Sequence, residues 1–157
     1  MKSALNSLPK EDGFLMPGEF EPHKGCWMVW PERGDTFRLG ARPAQRAFAQ
    51  VAETILAFEP VTMCVSFEQY ENARYHLHED IRLIEMSSDD AWARDTSPCF
   101  LVNRKGGIRG VDWRFNAWGG IFSPYNKDEA VAGKILELEK IPRYSAPFIL
   151  ENGSIHS

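Results

Sequence analysis

Apolar positions in the first half of the chain predict alternating strands and helices. The run Cys26–Trp30 is apolar and rich in β-forming residues, and Pro31 ends it, so we predict a buried strand there. Further along, apolar residues recur at the spacing of an amphipathic helix, which Pro60 ends. The predicted buried face of this helix consists of Ala44, Ala47, Phe48, Val51, Ile55 and Phe58.

The next segment continues the alternation of elements. Apolar and polar residues alternate along Val61–Phe67, which predicts a strand with one buried face. The inward residues of that strand would be Val61, Met63, Val65 and Phe67. Ser66 followed by Gln69 forms a capping-box pattern, which predicts a short helix ending near Leu77. The apolar run Ile81–Met86 then predicts another strand, which leads into an acidic stretch.

The second half of the chain begins with a predicted hairpin. Two β-forming segments, Cys99–Asn103 and Ile108–Trp113, flank the turn Arg104–Gly107. The glycines of this turn tolerate positive φ angles, as tight hairpin turns require. A loop rich in glycine and aromatic residues follows, Phe115–Asn126.

A helix and a last strand follow that loop. Asn126 and Glu129 can cap a helix whose apolar stripe is Val131, Ile135 and Leu138. Pro147–Leu150 is the last predicted strand, and the pair Asn152-Gly153 after it is a strong hairpin signal. No returning strand follows this signal, so we expect the chain to be the N-terminal part of a longer protein. Together these elements predict an α/β fold.

Composition and charge narrow the possible classes of protein. A chain of 157 residues with 43% apolar and 25% charged residues is typical of one globular domain. The net charge is −4 and the basic residues form no run, which argues against a nucleic-acid surface. No stretch approaches ~18 uninterrupted apolar residues and the start lacks a secretion signal, so we expect no membrane span. The three widely spaced cysteines predict free thiols in a reducing cytoplasm.

The stretch DDAWARDTSP, Asp89–Pro98, concentrates carboxylates, an arginine and a tryptophan at the end of a predicted strand. Binding loops of α/β folds often lie at such positions. The carboxylate of Asp95 could accept two N–H groups of a guanidinium, and Trp92 could form a wall for an organic cation. The alternative is structural: Arg94 pairs with a neighbouring acid and Asp95 caps a turn. The residue pattern alone leaves both alternatives open.

Two further segments allow a similar pair of interpretations. Glu151 follows the last predicted strand, where it could face the same pocket as the acidic stretch or be a solvated turn residue. The segment VDWRFNAWGG brings Asn116, Trp118 and the pair Gly119-Gly120 into a tight loop. Such a loop can line a cleft, or it can be an ordinary turn packed on core aromatic residues.

The sequence predicts neither a metal site nor a nucleophilic cysteine. His76 and His78 lie two positions apart, so they do not share a helix face, and no third ligand has a standard spacing; we expect no metal site. Cys26 and Cys64 fall within predicted strands, where cysteine is usually a small core residue. Cys99 has no base nearby in the sequence, so we expect none of the three to be a nucleophile.

Four segments occur in this chain in one order, from about Asp12 to His156: DGFLMPGEFEPHKGCWMVWPER, EMSSDDAWARDTSP, IRGVDWRFNAWGG and FILENGSIH. Together they resemble the N-terminal part of the agmatine deiminase family, within the pentein superfamily of guanidine-modifying enzymes. The resemblance implies an α/β propeller of ββαβ modules around a pseudo-fivefold axis. Residues 1–157 would be the N-terminal part of one such domain, an incomplete fan of about two modules.

The resemblance also implies an activity and site roles. The family hydrolyses agmatine to N-carbamoylputrescine and ammonia through a cysteine amidino-thiol adduct, without metal or organic cofactor. By match to the W-x-R-D motif, Asp95 would bind guanidinium nitrogens and Trp92 would line the substrate channel. By match to L-E-G-G-S, Glu151 would be a second carboxylate, and Trp118 in the FNAWGG segment would also contact substrate. A cytoplasmic homo-oligomer without nucleic-acid or membrane partners is implied as well.

Several family positions differ or lie outside the chain. The catalytic histidine and the nucleophilic cysteine of the family belong to motifs beyond Ser157, so the resemblance implies that these residues alone do not turn over agmatine. His156 belongs to the G-S-I-H segment and does not take the catalytic role, and Asn152 replaces a glycine. Two other functions stay open: an inactive remnant that binds polyamines or a protein partner, and a relative acting on peptidyl-arginine.

Overall fold

The computed structural model describes residues 5–157, which form two compact units. The contiguous unit is Pro22–Ala93, and the split unit combines the described residues up to Glu21 with Arg94–Ser157. Each unit has its own three-stranded sheet with helices, which confirms the predicted α/β class. No helix of this described part of the chain is long and apolar enough to cross a membrane.

The contiguous unit is an all-parallel sheet with strand order β1-β2-β3. Parallel neighbours need a crossover connection, and helices supply both of them. The elements are β1 (Cys26–Val29), α1 (Arg42–Leu56), β2 (Val61–Val65), a 3₁₀ turn (Phe67–Gln69), α2 (Tyr70–His76) and β3 (Arg82–Glu85). The strands and helices predicted for this part of the chain are therefore confirmed.

Strand β2 is buried on both faces, although its alternating pattern predicted only one buried face. All of its residues are buried, because it is the central strand of a parallel sheet. Phe67, which was predicted to point inward with this strand, lies in the following 3₁₀ turn and is exposed. The buried core around β2 consists of Trp30, Ala52, Val61, Met63, Val65, Ala73, Leu77 and Ile81.

Only part of the face that the apolar spacing of helix α1 predicts is packed: Ile55 packs against the core, but the fully buried residues lie on the neighbouring face. Its buried residues are Gln45 and Ala52, whereas Val51 is 50% and Phe58, just beyond the helix, 87% exposed. Gln45 faces inward because its side-chain amide donates a hydrogen bond to the Pro31 carbonyl oxygen at 3.0 Å. A buried polar group needs such a partner, and this hydrogen bond allows Gln45 to lie on the packed face of the helix.

The split unit has a mixed sheet, in which β4 pairs antiparallel with β5 and β5 pairs parallel with β6. Its elements are α3 (Ala93–Thr96), which starts at the last residue of the contiguous unit, β4 (Cys99–Val102), β5 (Ile108–Arg114), α4 (Ala117–Gly120), α5 (Asn126–Glu129), α6 (Val131–Leu138) and β6 (Arg143–Ile149). The predicted hairpin is confirmed as β4–β5. Strand β6 begins at Arg143, earlier than the predicted Pro147.

The capping prediction is right at Ser66 and wrong at Asn126. The Ser66 side chain accepts a hydrogen bond from the Gln69 backbone N–H at 3.3 Å. At α5 the N-cap is Tyr125, which makes no side-chain cap, and Asn126 is the first helical residue. A capping side chain must come from the residue before the first helical one, so Asn126 lies one position too late.

The N-terminal segment is held on the sheet of the split unit by a cluster around Asp12. The Ser7 hydroxyl donates to the Asp12 carboxylate at 2.6 Å and the Tyr144 hydroxyl at 2.7 Å. Arg109 also donates to this carboxylate, and its guanidinium lies 4.4 Å from the Phe14 ring centre. These hydrogen bonds, first that from Ser7, hold the pKa of Asp12 below its usual value, so the carboxylate stays charged at neutral pH.

Gly110 in β5 lies under helix α6, where a side chain does not fit. A Cβ added there would be 2.3 Å from Leu136 Cδ2, and Leu136 is only 1% exposed. We expect Gly110→Ala to lower the free energy of unfolding by about 1–3 kcal/mol, because it displaces a packed side chain. Urea unfolding followed by circular dichroism measures this loss. Gly34→Ala is the matched control, since its Cβ would meet nothing within 4 Å; equal losses would contradict the packing explanation.

Candidate active site

Asp95 lies in α3, the single helical turn before β4, and is half-buried. The adjacent Arg94 forms an ion pair with Glu19 of the N-terminal segment. The structural alternative assumed that Arg94 pairs with an acid close to it in the sequence. The ion pair that forms instead joins two distant parts of the split unit.

The turn that follows Glu151 lies against Asp95 in the split unit, where a Cβ added at Gly153 would be 2.9 Å from Asp95 Oδ1. Burial raises the pKa of Asp95, and the negative charge of Glu151 raises it further. A hydrogen bond from the Gly153 backbone N–H and the charge of Arg94 act in the opposite direction. Like charges near a half-buried carboxyl oppose its ionisation, so a cation bound there is favourable.

The residues after Glu151 form a 3₁₀ turn, Asn152–Ser154, instead of the predicted hairpin turn. The Asn152 side chain is buried and its Nδ2 donates to the carbonyl oxygen of Ser97. Gly153 does not adopt the positive φ that an Asn-Gly hairpin turn requires. A hydrogen bond to a distant segment has thus replaced the local turn that the pair usually makes.

Trp92 belongs to the contiguous unit, where its ring stacks on Phe37 with centroids 6.3 Å apart. Asp90 of the same acidic stretch is buried, and it accepts hydrogen bonds from the Thr36 hydroxyl and the Ala91 backbone N–H, both at 2.8 Å. These contacts give Asp90 a structural role. The carboxylates of this acidic stretch therefore have different surroundings: Asp90 is buried and hydrogen-bonded in the contiguous unit, and Asp95 is half-buried in the split unit.

Trp118 lies in α4, a turn with left-handed backbone. Ala117 and Trp118 have φ angles of 53° and 51°, and Gly119 and Gly120 share the positive sign. The Asn116 side chain accepts a hydrogen bond from the Gly119 N–H at 2.9 Å and stabilises this turn. Left-handed φ is costly for residues with a Cβ and persists where the surroundings enforce it, often at functional sites.

The cysteines lack the features of an attacking group. Cys64 and Cys99 are buried free thiols, and Cys26 is a half-buried one. Burial raises the pKa of Cys99, and burial together with the Glu59 charge raises that of Cys26, so both stay protonated at neutral pH. Among residues 5–157, no three His, Cys, Asp or Glu side chains are grouped so as to hold a metal ion.

Two residues that contact this site, Asn152 and Gly153, were not predicted from the sequence as site residues. Gly153 donates its N–H to Asp95, and Asn152 ties the same turn to Ser97. The pair Asn-Gly is typical of a hairpin turn, so the sequence did not indicate that these two residues make tertiary contacts. Their position directly after Glu151 was the one available clue.

Asp95→Asn is expected to stabilise the fold at neutral pH and to leave stability unchanged near pH 3. The pKa of Asp95 is higher in the folded than in the unfolded protein, so ionisation of this carboxyl lowers the stability of the fold. This loss of stability is absent below pH 3.8, the ordinary pKa, and it grows as pH rises through the folded pKa. Asparagine keeps an acceptor for the Gly153 N–H but carries no charge against Glu151. Urea unfolding at both pH values measures the difference. Destabilisation at pH 7 would contradict the carboxylate repulsion, and the exposed Asp80→Asn should change neither value.

Comparison with known proteins gives a consistent assignment. Residues 15–157 match the model of the Porphyromonas-type peptidyl-arginine deiminase family. The chain is 56% identical over 160 residues to the agmatine deiminase of Pseudomonas fluorescens (strain SBW25), which covers 98% of this chain and 44% of that protein. It is 57% identical over 156 residues to the agmatine deiminase of Pseudomonas aeruginosa (strain LESB58), covering 96% and 42% respectively.

The solved structures agree with these sequence matches. The agmatine deiminase of Enterococcus faecalis superposes with a TM-score of 0.97 at 48% identity, across 100% of this chain and 44% of that one. The chain thus spans less than half the length of the relatives it matches. The resemblance found in the sequence is confirmed: the chain belongs to the Porphyromonas-type peptidyl-arginine deiminase family, and it aligns with part of the length of relatives that are agmatine deiminases.

Proposed function

We propose that this chain supplies the guanidinium-binding carboxylates of an agmatine deiminase. The observation that carries the proposal is that the turn after Glu151 lies against the half-buried Asp95, where a Cβ added at Gly153 would be 2.9 Å from Asp95 Oδ1. A carboxylate only accepts hydrogen bonds and a guanidinium only donates them, so the two groups are complementary. A guanidinium between the two acids would also relieve their repulsion. The mutual repulsion of the two charges therefore favours a bound cation.

From the family resemblance we further propose that Trp92 of the contiguous unit and Trp118 of the split unit each contact substrate. Trp118 is presented by the left-handed turn α4, and Trp92 remains partly exposed although it stacks on Phe37. An aromatic face beside a cation contributes about 0.5–2 kcal/mol, and the rest of its surface can pack against an aliphatic chain. Agmatine has both features, a guanidinium and a short aliphatic arm.

The proposed reaction is the hydrolysis of agmatine to N-carbamoylputrescine and ammonia. A cysteine thiolate attacks the guanidinium carbon, ammonia leaves, and water then attacks the amidino-thiol adduct. The last step releases N-carbamoylputrescine and regenerates the thiol. Because Cys26 and Cys99 are protonated at neutral pH and Cys64 is buried, we place the nucleophile in a part of the protein outside this chain.

The proposal includes the architecture that the family resemblance implies. In the split unit, β4, β5, the helices α5 and α6, and β6 follow one another in the order of a ββαβ module, which supports a fan of such modules. The contiguous unit has the order βαβαβ instead, so the modules of the fan would not be uniform. We further propose a cytoplasmic homo-oligomer that uses no metal or organic cofactor.

Agmatine is preferred over peptidyl-arginine as the proposed substrate. The two Pseudomonas relatives, which share more than half of their aligned residues with this chain, are agmatine deiminases. A chimera tests the reaction: residues 1–157 replace the matching part of the Pseudomonas fluorescens enzyme, and ammonia and N-carbamoylputrescine are assayed with agmatine and with an arginine-containing peptide. A folded chimera that is inactive on agmatine, or that prefers the peptide, would contradict the proposal.

Binding to the 157-residue chain itself tests the carboxylate pair. Putrescine carries an ammonium group where agmatine carries the guanidinium, so it is the matched ligand for calorimetry. We expect agmatine to bind about tenfold more tightly, because hydrogen bonds between charged groups contribute about 1.5–3 kcal/mol. Equal affinities would indicate a polyamine-binding protein instead.

A further inference from the structure

Gly153 leaves room for the Asp95 carboxylate. A Cβ added at Gly153 would lie 2.9 Å from Asp95 Oδ1, too close for an undisturbed contact. The Gly153 backbone N–H also hydrogen-bonds to this carboxylate. Gly153 is exposed and its φ is not positive, so the backbone conformation itself does not require glycine. The position of Asp95 requires it.

Asn152 fastens the same turn to the segment that carries Asp95. Its Nδ2 donates to the carbonyl oxygen of Ser97, two positions after Asp95, and the side chain is only 9% exposed. Its Oδ1 is buried without a hydrogen-bond partner among the described residues, which costs about 1–3 kcal/mol. The reversed amide would place its oxygen against the Ser97 carbonyl, so the donor alone makes the useful contact.

We propose that Gly153 and Asn152 are positioning residues, which fix Asp95 relative to Glu151 and thereby set the affinity of the site for a guanidinium. This inference rests on the proposed function and adds two residues to it. Together the two hydrogen bonds join the segments that carry the two carboxylates, one at Asp95 itself and one at Ser97. A pair held in this way loses little further freedom when a ligand binds, and preorganisation of this kind increases affinity.

The Gly153 N–H also determines how Asp95 meets the ligand. One acceptor site of the carboxylate is used by Gly153, and the remaining lone pairs are left for the N–H groups of a guanidinium. Replacement of Gly153 by alanine would move Asp95 away from the turn. Replacement of Asn152 by alanine would release the turn from Ser97, and the Gly153 N–H would then lose its fixed direction.

Nitrogen-15 NMR of the 157-residue chain tests this geometry without a ligand. In the wild-type chain, the Gly153 amide signal should change as Asp95 ionises, and Asp95→Asn should abolish this change. In Asn152→Ala the response should fall by more than half. Gly153→Ala should weaken the change of the amide signal of residue 153 as Asp95 ionises. Because position 153 is exposed, this variant tests the proposal even if Asn152→Ala does not fold. A full response in both variants would overturn the proposal.

Calorimetry with agmatine tests the consequence for binding. Each variant should weaken agmatine binding about tenfold or more, the effect of losing one well-placed charged hydrogen bond. Lys105→Ala, in the exposed β4–β5 turn of the same unit, is the matched control and should stay within about twofold of wild type. Wild-type affinity in both Gly153→Ala and Asn152→Ala would overturn the positioning role. A wild-type chain with the amide response but without agmatine binding would instead overturn the proposed function.

Discussion

Asp95→Asn is expected to lower kcat/KM for agmatine by about 10²–10³-fold in the chimera that carries residues 1–157. The asparagine keeps the size of the side chain but presents an N–H donor to a guanidinium, which has donors only. It also removes the negative charge that would face the guanidinium in this half-buried site, and a loss of 10²–10³-fold corresponds to about 3–4 kcal/mol of transition-state stabilisation. Steady-state kinetics at one pH measure the loss, and circular dichroism checks the fold.

Two substitutions in other surroundings control for the change of charge. Asp80→Asn removes an exposed carboxylate and should leave kcat/KM within about twofold of wild type. Asp90→Asn should lower stability rather than kcat/KM, because the Asp90 carboxylate is buried and accepts hydrogen bonds from Thr36 and Ala91. Wild-type activity of Asp95→Asn would remove this residue from the guanidinium site. Equal, severe losses for Asp90→Asn and Asp95→Asn would mean that the charges hold the loop together.

Trp30→Ala should lower the free energy of unfolding by about 3–5 kcal/mol, which is the usual cost of removing a large aromatic side chain from a core. Trp30 is almost fully buried and belongs to the core around β2. Trp30→Phe should cost much less than Trp30→Ala. Phenylalanine keeps most of the ring and removes the indole N–H, which is buried without an acceptor among residues 5–157.

Urea unfolding of the three proteins gives the comparison. The exposed Phe58→Ala, in the same unit, should change stability by less than about 0.5 kcal/mol and serves as the control for aromatic truncation. If Trp30→Phe costs as much as Trp30→Ala, the indole N–H has a partner that matters, and packing of the ring is not the main source of the stability.

Local patterns were enough to predict most elements, because strands and helices depend on near neighbours. The apolar run at Cys26–Val29 and the capping pattern at Ser66 both gave the expected element. Helix α1 was located correctly, but only part of its packed face was predicted. A hydrogen bond to Pro31 allows Gln45 to lie on that face, and no hydrophobic pattern records such a contact.

The candidate site shows a similar division. The resemblance indicated Asp95 and Glu151, and in the structure the turn directly after Glu151 lies against Asp95. It gave no indication that Asp90 of the same stretch is buried and bonded within the contiguous unit. Asn152 was interpreted as a hairpin residue, since its partner Ser97 lies 55 positions away in the sequence. Contacts over such distances depend on the folded topology, which local residue patterns do not contain.

The division of the split unit into two segments imposes an order on folding during synthesis. The contiguous unit, Pro22–Ala93, has all its strands in one uninterrupted stretch and can fold once that stretch has left the ribosome. The N-terminal segment is made earlier, yet Asp12 binds Tyr144, 132 positions later. Closing so long a loop is slow and must await β6. A nascent chain from which Pro22–Ala93 has emerged but β6 has not should therefore carry a folded middle and a protease-sensitive beginning.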